Sequence, residues 1–228
     1  MSVEEETDAL VERAEGKVPQ KTRKKKLALY AEGLKAKVYQ VEYALASLVE
    51  LSGQLEEVST STDPDAYDPT RKVAFYCDSF WTFLYSALDI LSQLVNQSVK
   101  LRMDEKDVSF NAVKKQLDTR YQNTPLQKAY AQCRGSRVFA NLGAYRNCSI
   151  HRRQIYFVEE FRRTRHVGGY QTDSTDDIEV IARTLCDDPL SMNPKTCQNR
   201  RIPLYLAESK DKVFIMIEYI LKAIEPKK

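Results

Sequence analysis

Arg146, Asn147 and His151 are the residues of this chain best suited to do chemistry. They lie in the run Tyr-Arg-Asn-Cys-Ser-Ile-His-Arg-Arg, residues 145 to 153, which holds one of only two histidines. From Arg134 to Arg165 the sequence carries eight arginines against Glu159 and Glu160 alone, while the formal net charge of the whole chain is only +3. A titratable imidazole in a field of fixed guanidinium charge suits chemistry on an anion, and phosphate is the obvious one. In an ideal helix Asn147 and His151 are four apart and share a face. Arg146 is rotated from Asn147 by about 100°, yet its long arm can bend to the same cleft. Nearby arginines favour the neutral, proton-accepting form of His151. Arg146 can clamp non-bridging phosphate oxygens, and Asn147 can position ribose, phosphate or the imidazole. That set is the minimum for a ribose 2′-hydroxyl to attack its own 3′-phosphate with no metal and no cofactor, because the nucleophile belongs to the substrate. DNA lacks the hydroxyl and is expected to be inert.

Other chemistries share these residues. Cys148-x2-His151 has zinc-ligand spacing, but Cys77, Cys133, Cys186 and Cys197 stand singly and form no second pair. Cys148 as a nucleophile beside His151 lacks a strand-to-helix elbow. No Gly-rich phosphate loop or paired-carboxylate motif occurs. A purely structural role is also open, with Arg146 capping a helix end and His151 packed in a core or interface.

Several elements must position the stretch. Residues 1–22 read as a flexible or weakly helical tail, and the basic run Lys21–Lys26 as a solvated helix start or a nucleic-acid contact. Leu27, Leu34, Val38, Val41, Leu45 and Leu48 form one stripe of an amphipathic helix over about 23–58. A second helix, about 69–101, opens at Asp68-Pro69 and is apolar around most of its girth, which places it mid-bundle. One polar stripe, Thr82, Ser86, Asp89, Gln93 and Asn96, interrupts it, either as an outward face or as the wall of a cleft in which Asp89 orients a cation or a histidine. A short helix follows Ser109. Thr124-Pro125-Leu126-Gln127 is a capping box opening a helix or helix pair that delivers Arg146. Beyond His151, the runs Ile155–Val158 and Ile178–Ile181 suggest a β-hairpin inserted over about 152–187. Arg152, Arg153, Arg162, Arg163 and Arg165 would extend a phosphate-tracking surface onto it, or pair with Glu159 and Glu160 on a solvated face. Residues 188–203 read as irregular, and a last helix from about Ser209 to Ile224 closes the bundle.

Size and composition agree with a single all-α domain over 23–228. Seven Gly and eight Pro among 228 residues leave long Leu/Ala/Lys/Glu-rich segments. No apolar run approaches a membrane span, and five cysteines without framework spacing fit reduced thiols in a cytoplasm.

Arg-Asn-x3-His at the end of a helical segment, after a strongly apolar helix, resembles the HEPN superfamily. Its signature is an Arg, commonly followed by a polar residue, with a His four to six residues beyond. The resemblance implies a bundle of four to six helices that dimerises so that two motifs face each other. It also implies a metal-independent endoribonuclease of toxin–antitoxin, phage-defence or RNA-processing type, with RNA, a second copy and an antitoxin or regulatory protein as partners. It carries the motif onto Arg146, Asn147 and His151. Arg153 stands two residues after the His, where some toxin members have a modified Tyr. A HEPN-like module that binds RNA or nucleotides without turnover is the alternative.

Overall fold

The computed structural model describes residues 2–15, 21–58, 69–151, 157–167, 174–186 and 199–224, with side chains over 2–12, 24–51, 72–147 and 201–224. Among these residues there are seven α-helices, more than the four to six expected. They are α1 (Val3–Glu15), α2 (Lys21–Val58), α3 (Pro69–Val99), α4 (Phe110–Arg120), α5 (Pro125–Arg134), α6 (Arg137–His151) and α7 (Ile202–Ala223).

Helix α3 is the axis of the bundle. It packs on α2, α4, α6 and α7, and Val73, Cys77, Phe80, Trp81, Leu84, Leu88, Leu91, Leu94 and Val95 are all buried. A helix that is apolar most of the way round has no other stable place. The stripe on α2 turns inward as its spacing dictates, with Leu27, Leu34, Val38, Val41 and Leu48 buried and Leu45 half-buried at its margin.

Two parts of the chain are more ordered than the sequence reading expects. The N-terminal segment, expected as a flexible or weakly helical tail, forms a packed helix over Val3–Glu15. Ser2 and Glu5 close a reciprocal capping box, in which Ser2 N donates to Glu5 Oε2 at 2.8 Å and Glu5 N to Ser2 Oγ at 3.3 Å. Val3 and Leu10 are buried, and α1 packs on α2 and α7. Lys222 reaches the buried Glu6 at 3.6 Å. Helix α7 likewise starts at Ile202, ahead of the expected Ser209. Pro203 lies in its first turn, where a missing N–H costs nothing, and buried Ile202, Tyr205 and Leu206 anchor that turn.

The polar stripe of α3 proves to be mostly a strap. Asn96 is buried; its Nδ2 donates to Met103 O at 3.0 Å and its Oδ1 accepts from Met103 N at 3.1 Å. Gln93 Nε2 donates to Glu105 O at 2.8 Å, and Asp89 Oδ1 accepts from Phe110 N at 3.4 Å. Three successive side chains therefore fasten the α3–α4 connection, whose Lys100 and Arg102 hold left-handed φ of 59° and 62°. Arg120 and Tyr121 donate to the carbonyls of Leu101 and Val99 on either side. Asn96→Ala leaves both groups of half-buried Met103 without that partner, at about 1 kcal/mol each, the low end for an unpaired group. We expect a loss of about 2 kcal/mol, read as a lower urea midpoint with unchanged slope.

Among the described residues after α6 the backbone forms three antiparallel strands, β1 (Phe157–Val167), β2 (Ser174–Cys186) and β3 (Asn199–Arg201), in that order. The register shifts at Glu160/Phe161, and β2 lies against α2 and α7.

Candidate functional site

The helix that carries the motif is set by a local signal just before it. Gly135 ends α5 in ordinary αR backbone, so the break is not made by glycine freedom. Ser136 makes it: Oγ accepts from Phe139 N at 3.2 Å, as an N-cap does, and donates to Cys133 O at 2.7 Å. The preceding helix opens as its capping box requires, with Thr124 Oγ1 accepting from Gln127 N at 3.2 Å. The Gln127 side chain, however, turns to Asp118 at 3.0 Å instead of reaching back.

From that start α6 buries Phe139, Leu142 and Tyr145. Tyr145 lies on Trp81 of α3, ring centroids 4.2 Å apart and planes within 1°, which fixes the rotation of the helix at the residue before Arg146. The Arg146 guanidinium then lies over the Tyr85 ring, 4.6 Å from its centroid. Arg146 is half-buried, and among the described residues it makes no ion pair or hydrogen bond.

Asp89 stands one turn from Tyr85 on α3. Burial raises its carboxyl pKa above the ordinary value, against the opposing pull of the Phe110 N–H and the Arg146 charge. The Tyr85 phenol is also raised, by burial first and then by Asp89, while Arg146 and Arg134 pull it down. The phenol is therefore neutral near pH 7, and its ring is the platform under Arg146. Arg134, exposed at the end of α5, donates from Nε to Asn111 Oδ1 at 2.8 Å and lies 5.2 Å over the Phe139 ring.

The structure thus brings Arg146 and Asp89 into one neighbourhood. Asn147, one step further round α6, is exposed. His151 is the last residue of α6, one turn beyond Asn147 on the same backbone face; its side chain lies outside the described residues. Arg152 and Arg153 also lie outside them. Arg162, Arg163 and Arg165 fall on β1, at register positions opposite Glu179, Ile178 and Asp176. Two of the three arginines thus face an acidic position across the ladder, where opposite charges stabilise a sheet.

Sequence reasoning missed Tyr85 and gave Arg134 no role. The signal for Tyr85 was its spacing, four residues before Asp89 and on the same side of α3. Buried Cys77 and Cys133 are poor nucleophiles: burial lifts both thiols, Cys133 to about 11. Among the described residues no group of three His, Cys, Asp or Glu could hold a metal ion.

Because the folded-state pKa of Asp89 is raised, the neutral acid is the form that folding favours. Its contribution to stability is complete below the unfolded value, near pH 4, and declines as pH climbs through the folded one. Asp89→Asn keeps an oxygen for Phe110 N and cannot ionise. Its stability relative to wild type should therefore rise from pH 4 upward and then level, as read from urea midpoints across that range.

No curated protein and no solved structure matched the chain. A family model, Cthe2314-like HEPN, matched residues 30–187. That span takes in α3, the helix that holds the Arg146 neighbourhood in place, and the whole of α6. It covers more than half of the sequence, and the chain therefore belongs to the Cthe2314-like HEPN family.

Proposed function

We propose that this HEPN bundle is a metal-independent endoribonuclease acting through Arg146, Asn147 and His151. His151 takes the proton of a ribose 2′-hydroxyl, and the 2′-oxygen bonds to the adjacent phosphorus. The P–O5′ bond breaks, leaving a 2′,3′-cyclic phosphate and a 5′-hydroxyl. Arg146 binds the non-bridging oxygens as their charge grows. In a homodimer with facing motifs the partner's imidazole returns a proton to the leaving 5′-oxygen. RNA is the substrate, and an antitoxin or regulatory protein is a further partner.

One observation carries this reading. Arg146 is half-buried on an aromatic face with none of its N–H groups paired among the described residues. A fork of five donors held in place yet unsatisfied is what a phosphate requires. A second reading has one observation in its favour. The contact of Arg146 with Tyr85 also suits a brace between α3 and α6 in a bundle that binds RNA without cutting it. Incubation with mixed RNAs in EDTA separates the two. Cleavage that vanishes in His151→Ala, with DNA untouched, supports the enzyme; intact RNA bound with a steep salt slope supports the binder.

A further inference from the structure

We propose that Arg134 and Arg146 grip two phosphodiesters of one RNA strand, so that the site takes single strands with at least two phosphates in preference to mononucleotides or single linkages. The proposal rests on the RNA reading above and extends it to the shape of the substrate.

Both guanidiniums are held in place by aromatic faces. Arg146 lies 4.6 Å over Tyr85. Arg134 lies 5.2 Å over Phe139 and is tethered through Nε to Asn111 at 2.8 Å. Its two terminal nitrogens are left over, and among the described residues neither arginine is in an ion pair.

The spacing between them comes from the helix. Phe139, the platform of Arg134, and Arg146 are seven residues apart on α6, which puts them on one stripe with a drift of only about 20°. Two turns rise about 10.5 Å. Helical side chains all lean toward the N-terminus, so that rise carries over from the backbone to the side chains. A stacked strand advances about 3.4 Å per phosphate and an extended one more. A gap of about 10.5 Å therefore joins phosphates up to about three nucleotides apart. Tyr85, the platform of Arg146, lies within the fields of both arginines.

Binding of uncleavable 2′-O-methyl oligonucleotides to the full chain tests the grip apart from catalysis. The probes are a dinucleotide with one phosphate and a pentanucleotide with four. Wild type is expected to gain about tenfold in affinity from the first to the second, as one charge-assisted contact provides. Arg134→Ala should abolish that gain, lower the salt slope on the pentanucleotide by about 0.7 and leave the dinucleotide unchanged. Asn111→Ala, which releases the tether, should reduce the gain in part. The grip is overturned if wild type shows no gain, if Arg134→Ala keeps it, or if that variant weakens both probes equally. Grip without cleavage of all-ribose RNA would sink the ribonuclease reading and leave this one standing; cleavage without grip would do the reverse.

Discussion

Arg146→Ala is expected to lower RNA cleavage by about 10²–10³-fold, the effect of losing a donor aimed at charge that develops in the transition state. The same change should cost folding little. A guanidinium over an aromatic ring is worth about 0.5–1 kcal/mol at a partly exposed site, and no ion pair is broken among the described residues. Initial rates and urea midpoints on one preparation make the comparison. A large rate loss with a small midpoint shift identifies a group that touches the reacting phosphate. A midpoint shift that accounts for the rate loss identifies the brace instead, and the ribonuclease assignment of Arg146 then fails. Arg146→Lys sharpens the test, because it keeps the charge but not the planar fork; most of the rate should stay lost.

Phe110→Ala carries the largest expected cost to stability. Phe110 is fully buried, stacked on Tyr130 at 4.5 Å and tilted against Phe139 at 4.7 Å. It joins α4 to α5 and α6 at one point. Removing such a ring costs about 3–5 kcal/mol through lost transfer energy and the cavity left behind, a large share of the 5–15 kcal/mol typical of a domain. Phe110→Leu, which fills more of the space, should recover about half of it. Equilibrium denaturation of the three proteins measures both. Equal stability of Phe110→Ala and wild type would mean that the stack is not part of the core.

The helices that form the site were legible because their apolar residues recur at helical intervals. Leu27 to Leu48 on α2 and the girdle of α3 could face nothing but a core. The Thr124 cap was equally legible, since it is a short-range signal whose partner lies three residues away. The structure departs from the sequence reading where the decisive interaction was tertiary. Helix α1 does carry a local start signal, the Ser2-x-x-Glu5 box, but it is held by burying Val3 and Leu10 against α2 and α7, and that packing has no local pattern. The stripe Asp89, Gln93, Asn96 has one spacing whether it lines a cleft or ties down a loop. Only the path of residues 101–110 decides, and it made the stripe largely a tie. Arg134 and Tyr85 gain meaning solely from the approach of α5 and α6 to α3. Among the arginines beyond the motif, the register opposite Glu179 and Asp176 could not be drawn from runs of four residues, because the strands extend well past them.

The one tryptophan of the chain is Trp81, and it lies face to face with Tyr145, joined by a single peptide bond to Arg146. This indole is a fluorophore packed against the proposed catalytic helix, with no second indole to dilute its signal. Sealed from solvent, it should emit in the blue. Any ligand that tilts the end of α6 must alter the overlap of the two rings, and with it the quantum yield. The native protein thus carries its own optical gauge of whether a ligand has engaged Arg146, readable without a label.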